Sequence, residues 1–100
     1  MKMNMNELMK QAQKMQSQMA KIQEELAGET VEGNAGGGMV KAVFNGQGEF
    51  ISIHIEKEVV SPDEVEMLED MIFAAVSDGL HKAKDLANAR MGPLAGGLGF

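Results

Sequence analysis

The stretch MVKAVFNGQGEFISIHIE, residues 39–56, decides the fold. It holds two runs, MVKAVFN and EFISIHIE, both rich in β-branched and aromatic side chains. In the second, Ile51, Ile53 and Ile55 alternate with Phe50, Ser52 and His54, the period of two that belongs to a strand. Between the runs stands Asn45-Gly46-Gln47-Gly48, and Asn-Gly tolerates the positive φ that tight hairpins require. So short a connection makes the pair antiparallel. With Phe50 opposite the Ile51, Ile53 and Ile55 side, the small sheet is expected to be apolar on both faces and open at its edges.

Working upstream, Thr30, Val31 and Glu32 fit a short edge strand, and Gly33-Asn34-Ala35-Gly36-Gly37-Gly38 reads as a turn or loose loop. Before them Met5, Leu8, Ala12, Met15, Met19, Ile22 and Leu26 recur at spacings of three and four, a heptad stripe on one helix. Asn4 or Asn6 caps its start and Gly28 stops it. So narrow a stripe suits one neighbouring helix better than a wide core.

Downstream, Ser61-Pro62-Asp63-Glu64 announces a second helix: a serine cap, a proline in the first turn, and Glu64 to complete a capping box. Its pattern runs through Val65, Leu68, Met71, Ile72, Ala75, Val76, Gly79, Leu80, Ala83 and Leu86 to about Arg90, and Gly92-Pro93 is expected to end it. The fold class is α+β: an N-terminal helix, two or three antiparallel strands and a long C-terminal helix. Residues 1–91 form one α-β-β(-β)-α domain, and residues 92–100 are expected to be a flexible Gly-rich tail. A final helix of roughly 28 residues spans about 42 Å. A compact domain of this size is about 34 Å across. The helix therefore projects or is covered by a second subunit, and a homodimer with projecting helical arms is expected.

Composition removes several classes of function. The 100 residues include no Cys, Trp or Tyr, ten Met and four Phe. Without cysteine there is no disulfide framework, thiolate zinc site, iron–sulfur cluster or cysteine nucleophile. No apolar run approaches a membrane span or a signal peptide, so the expected compartment is the cytoplasm, with no membrane partner. His54 and His81 lack a second histidine at ligand spacing, and no metal is expected. Ser17, Ser52, Ser61 and Ser77 sit in no nucleophile elbow. The glycine loop lacks the Lys-Ser/Thr of a phosphate cradle, and Asp63, Glu64, Glu66, Glu69 and Asp70 read as a solvated helix face. No enzymatic activity, cofactor or small-molecule substrate is expected.

Charge is unevenly spread. Net charge is −6, yet residues 1–23 carry four lysines against one acid. Residues 24–80 carry thirteen acids against two lysines, and residues 81–100 carry three basic groups against one acid. If the two helices pack side by side they run antiparallel, which would bring the basic segments to one tip. Lys10 and Lys14 on the first helix and Lys82, Lys84 and Arg90 on the second are the candidate phosphate contacts.

The run NELMKQAQKMQSQMAKIQEEL at residues 6–26 resembles the opening of the YbaB/EbfC family of bacterial nucleoid-associated proteins. The likeness continues through the glycine turn before Met39-Val40-Lys41, the hairpin at Asn45-Gly46, the Ile-x-Ile strand and Glu66-Met67-Leu68-Glu69-Asp70. The resemblance implies a nucleoid-associated homodimer whose arms bind double-stranded DNA in a chromosome-organising or gene-regulatory role. The competing reading is a non-enzymatic protein–protein adaptor that docks a partner through the Met-rich heptad helix. Basic residues at the ends of both helices favour the first, because an adaptor has no need of them.

Overall fold

The computed structural model describes the backbone of residues 4–97 and the side chains of residues 4–92. In chain order the elements are α1 (Met5–Ala27), β1 (Thr30–Ala35), β2 (Val40–Asn45), β3 (Phe50–Ile55), a 3-10 turn (Lys57–Val59) and α2 (Val65–Gly97). The three strands form one antiparallel sheet in the order β1-β2-β3. The class is α+β, as the sequence predicts. The radius of gyration is 19.7 Å and the long axis 70 Å, far from the radius of about 13 Å of a compact chain this long.

The core is one layer deep. Val40, Ala42 and Phe44 of β2 pack against Ala75 and Ala83 of α2. Val31 and Ala35 on one side and Ile55 on the other extend it as half-buried neighbours. α2 lies across β1 and β2. β3 is left exposed along nearly all its length.

α1 starts on Asn4, whose side chain accepts a bond from the Glu7 amide at 2.8 Å. It ends at Gly28, which stays in the right-handed region rather than adopting the left-handed cap. Its apolar stripe is buried at Leu26, half-buried at Met15 and Ile22, and exposed at Met5, Leu8 and Met19. Most of α1 is therefore an arm standing off the body.

β1 does not stop at Glu32 but continues to Ala35, and the turn is confined to Gly36, Gly37 and Gly38, all at positive φ. Gly33 belongs to the strand because α2 lies against it too closely for any side chain. In the second hairpin the positive φ belongs to Gly48, not to Asn45 or Gly46. Asn45 instead holds the turn with its side chain, accepting from the Gln47 and Glu49 amides at 3.0 Å each and donating to the Glu49 carboxylate.

The sheet is not apolar on both faces. Pairing steps from Val43↔Ser52 to Phe44↔Phe50, leaving Ile51 as a bulged extra residue. The bulge turns Phe50 to the face of Phe44, where the rings meet edge-on at 5.4 Å. The opposite face carries Glu32, Asn34, Lys41, Ser52 and His54 around Val43.

The ends of α2 also differ. Ser61 Oγ accepts from the Asp63 amide and Ser61 C=O from the Glu64 amide, closing a tight turn ahead of a helix that begins at Val65. No capping-box bond from Glu64 is present among the described residues. At the other end α2 runs through Gly92-Pro93 to Gly97. Proline lacks the N–H for one ladder bond, but so near the terminus that loss does not unravel the turns before it. Gly92-Pro93 therefore does not end the helix, whose backbone continues to Gly97; residues 98–100 lie outside the described residues.

Candidate nucleic-acid interface

The basic residues of α1 form one face. Lys14 follows Lys10 by four residues and Lys21 follows Lys14 by seven. At 3.6 residues per turn these positions fall within about 40° of arc over roughly 16 Å of axis. The face lies nearly opposite the Met5–Leu26 stripe, as the same geometry requires. All three lysines are exposed, and no acid pairs with them among the described residues. Lys21 was not among the residues the sequence nominated. Its signal was the i, i+4, i+11 spacing, masked by the neighbouring acids Glu24 and Glu25.

The arm is rooted at its C-terminal end. Leu26 is fully buried. The Gly46 amide donates to the Leu26 and Glu29 carbonyls at 2.9 Å each. Gln47 Nε2 donates to the Gln23 carbonyl at 2.8 Å.

The basic residues of α2 are placed differently. Lys82 Nζ lies 3.0 Å from the Asp78 carboxylate and donates to the Glu32 carbonyl at 2.9 Å. Asp78 in turn accepts from the Asn34 amide at 3.0 Å. That amide bond, reinforced by Lys82, holds the Asp78 carboxyl below its ordinary value. Asn34 N–H and Glu32 C=O both point outward from β1, away from β2, so Asp78 and Lys82 together seal the outer edge of the sheet. Lys84 is exposed on the back of α2 with no acid partner among the described residues. Arg90 bonds Glu25 and Glu29 at the root of α1.

The two basic segments therefore do not meet at one tip. Arg90 is level with Glu25, and α1 rises about 22 Å from there to Lys10. Lys82 and Lys84 lie still farther back along α2, over the body. Of the five candidate contacts, Lys10 and Lys14 are on the arm, Lys84 is exposed on the body, and Lys82 and Arg90 are engaged with acids and carbonyls of the chain itself.

Among the described residues the remaining polar groups form no metal-holding cluster. An open cleft of about 550 Å³ at the root of the arm is lined by Glu24, Glu25, Gly28, Glu29 and Arg90, an acidic lining unsuited to phosphate. His54 meets Glu56 and His81 meets Asp85, both on the surface. Among the described residues no cluster of His, Asp and Glu is arranged to hold a metal, and no helix is long and apolar enough to cross a membrane.

The model of the YbaB/EbfC DNA-binding family matches residues 1–98. A nucleoid-associated protein of Pelotomaculum thermopropionicum is 54% identical over 95 residues, 95% of this chain and 90% of that protein. One from Chloroflexus aurantiacus is 54% identical over 96 residues, 96% of both chains. The crystal structure of an uncharacterized Helicobacter pylori protein superposes with a TM-score of 0.80, covering 97% of this chain and 98% of that one. At 22% identity that likeness concerns the fold.

Proposed function

The chain belongs to the YbaB/EbfC DNA-binding family, and from that membership we propose that it is a nucleoid-associated homodimer gripping double-stranded DNA through the basic face of α1, in a chromosome-organising or gene-regulatory role. The observation that carries this reading is the row Lys10, Lys14 and Lys21, exposed on a projecting helix and free of acid partners among the described residues. Cations so placed pair with phosphates without first breaking an internal bond. Lys84 is the contact that α2 adds if DNA reaches the body. The acidic body repels the duplex and confines contact to the arms.

Dimerisation is supported by the unequal edges of the sheet. β1 is sealed by Asp78 and Lys82, whereas no bond from another element reaches the outer edge of β3 among the described residues. On the flank of α2 opposite Asp78 and Lys82, helical spacing aligns Phe73, Val76 and Leu80. Phe73 is 73% exposed, and Phe50, Ile51 and Ile53 on β3 are exposed as well. Exposed apolar side chains of this size mark an association surface, and a second copy presenting the same residues covers them.

The relatives' names point to the bacterial nucleoid and hence the cytoplasm, and no catalytic step forms part of this reading. The adaptor alternative draws on the exposed residues Met5, Leu8 and Met19. A gel shift on unrelated duplexes titrated with salt separates the two: the DNA reading requires binding that weakens steeply with salt, and absence of binding at about 50 mM salt leaves the adaptor in front.

A further inference from the structure

We propose that Arg90 is a latch setting the direction of the α1 arm, and that it is not itself a phosphate contact. The guanidinium bonds two carboxylates on the same segment, Glu25 in the last turn of α1 and Glu29 just beyond it. These acids stand 65 and 61 residues before Arg90, so the pair joins the distant end of α2 to the root of the arm. Every other described hydrogen bond that holds the arm to the body lies between residues 23 and 29 on the hairpin side: Gln47 to the Gln23 carbonyl, and Gly46 to the carbonyls of Leu26 and Glu29. One set of bonds makes a pivot. A second, from α2, is needed to fix an angle.

The second oxygen of Glu29 is consistent with this. That atom is shielded and has no hydrogen-bond partner among the described residues, so the bond to Arg90 is the side-chain bond this carboxylate has there. Removing the arginine would leave two carboxylates at the pivot without their cation and the arm root without its bond to α2. The lever is long: about 22 Å separates the level of Glu25 from Lys10. A swing of roughly 20° moves Lys10 by about 8 Å, more than two base-pair rises along the axis of a duplex. An arm free to swing so far presents its lysines out of register with the backbone they are to meet.

The affinity part of the test rests on the DNA-binding reading; the distance part does not. The chain contains no cysteine, so Gln16→Cys on the arm and Glu58→Cys on the body can carry spin labels, with labelled chain diluted in unlabelled chain. The expected result is a narrow distance distribution in the parent that broadens alike in Arg90→Gln and in Glu25→Gln/Glu29→Gln. Both variants are expected to weaken duplex binding by about three- to tenfold with the salt slope unchanged, and combining them is expected to do no further harm. A phosphate-contacting Arg90 behaves otherwise. Its loss would flatten the slope by nearly two units per dimer, and removing the two acids would tighten binding. That pattern, or a distribution unchanged in both variants, overturns the latch. Failure of the parent to bind any duplex overturns the DNA reading, and the distances still decide the latch.

Discussion

Gly33 of β1 and Gly79 of α2 meet backbone to backbone. A Cβ on Gly33 would overlap the Ala75 carbonyl and stand 2.7 Å from the Gly79 Cα. A Cβ on Gly79 would stand 2.6 Å from the Phe44 ring. This approach lowers α2 onto the sheet far enough for Asp78 and Lys82 to reach the outer edge of β1. Alanine at either position should destabilise the fold by about 1–3 kcal/mol. Gly33→Ala should be the worse, because it meets backbone and not a ring that can tilt. Thermal melts check this: each kcal/mol lowers Tm by about 4–8 °C in a domain of this size. An unchanged Tm would mean that α2 is not seated there.

That pair also marks the limit of what the sequence discloses. The stripe from Met5 to Leu26 and the alternation at Ile51, Ile53 and Ile55 are periodic, and period identifies an element directly. Gly33 has no such signature, because a glycine in a turn and a glycine under a helix read alike until the helix is in place. The bulge at Ile51 is equally silent, since it changes the face of Phe50 without changing composition. On the site, charge spacing picks out Lys10 and Lys14, but nothing near Lys82 or Arg90 discloses that Glu32, Glu25 and Glu29 wait for them 50 or more residues away.

α2 runs past Arg90, which makes Gly92 an interior helical residue with nothing within 4 Å of its Cβ position. Gly92→Ala should therefore stabilise by about 0.5–1 kcal/mol, read as a rise in Tm or in helical ellipticity. A tail disordered from Gly92 would give no change. The expectation that truncation after Met91 leaves the melt nearly unaltered is tested by the same assay.

Asp78 links folding to pH. Its carboxyl is held below the ordinary value by the Asn34 amide and by Lys82, so the native state favours the charged form. A group with a depressed folded pKa stabilises fully above its unfolded value, near 3.8, and loses that contribution as pH falls through the folded value. Melts of the parent and of Asp78→Asn should differ by a constant gap from pH 5 to 7 that closes below about pH 4. A gap independent of pH would assign the effect to packing and not to charge.

The two edges of the sheet should respond differently to substitution. Sedimentation equilibrium at micromolar concentration is expected to give about twice the 10.8 kDa chain mass. Ile53→Glu places a charge on the uncovered strand without disturbing the α2 contact, and should give a folded monomer. Lys82→Ala should leave the dimer intact but expose the β1 edge, so that larger species accumulate on standing. A parent that sediments as a stable monomer would remove the second copy and the two-armed arrangement together.

The basic face of α1 makes the sharpest demand. Lys10, Lys14 and Lys21 on each of two arms offer about six phosphate contacts, and counterion release then gives a log–log salt slope near −5. Gln is nearly as good a helix former as Lys, so Lys10→Gln/Lys14→Gln should fold normally. Across a dimer it deletes four contacts, and the slope should fall in magnitude by about three to four units, with sharply weaker binding at low salt. Lys21→Gln should remove about two units more. Lys41 and Lys57 belong to the acidic body, in β2 and the 3-10 turn, and their replacement should change the slope by far less. Gel shifts between about 50 and 200 mM salt resolve these differences, because a protein of six contacts loses on the order of a thousandfold in affinity across that range. If replacing Lys41 and Lys57 flattened the slope as much as replacing Lys10 and Lys14, the duplex would be lying on the body, and the arms would have another purpose.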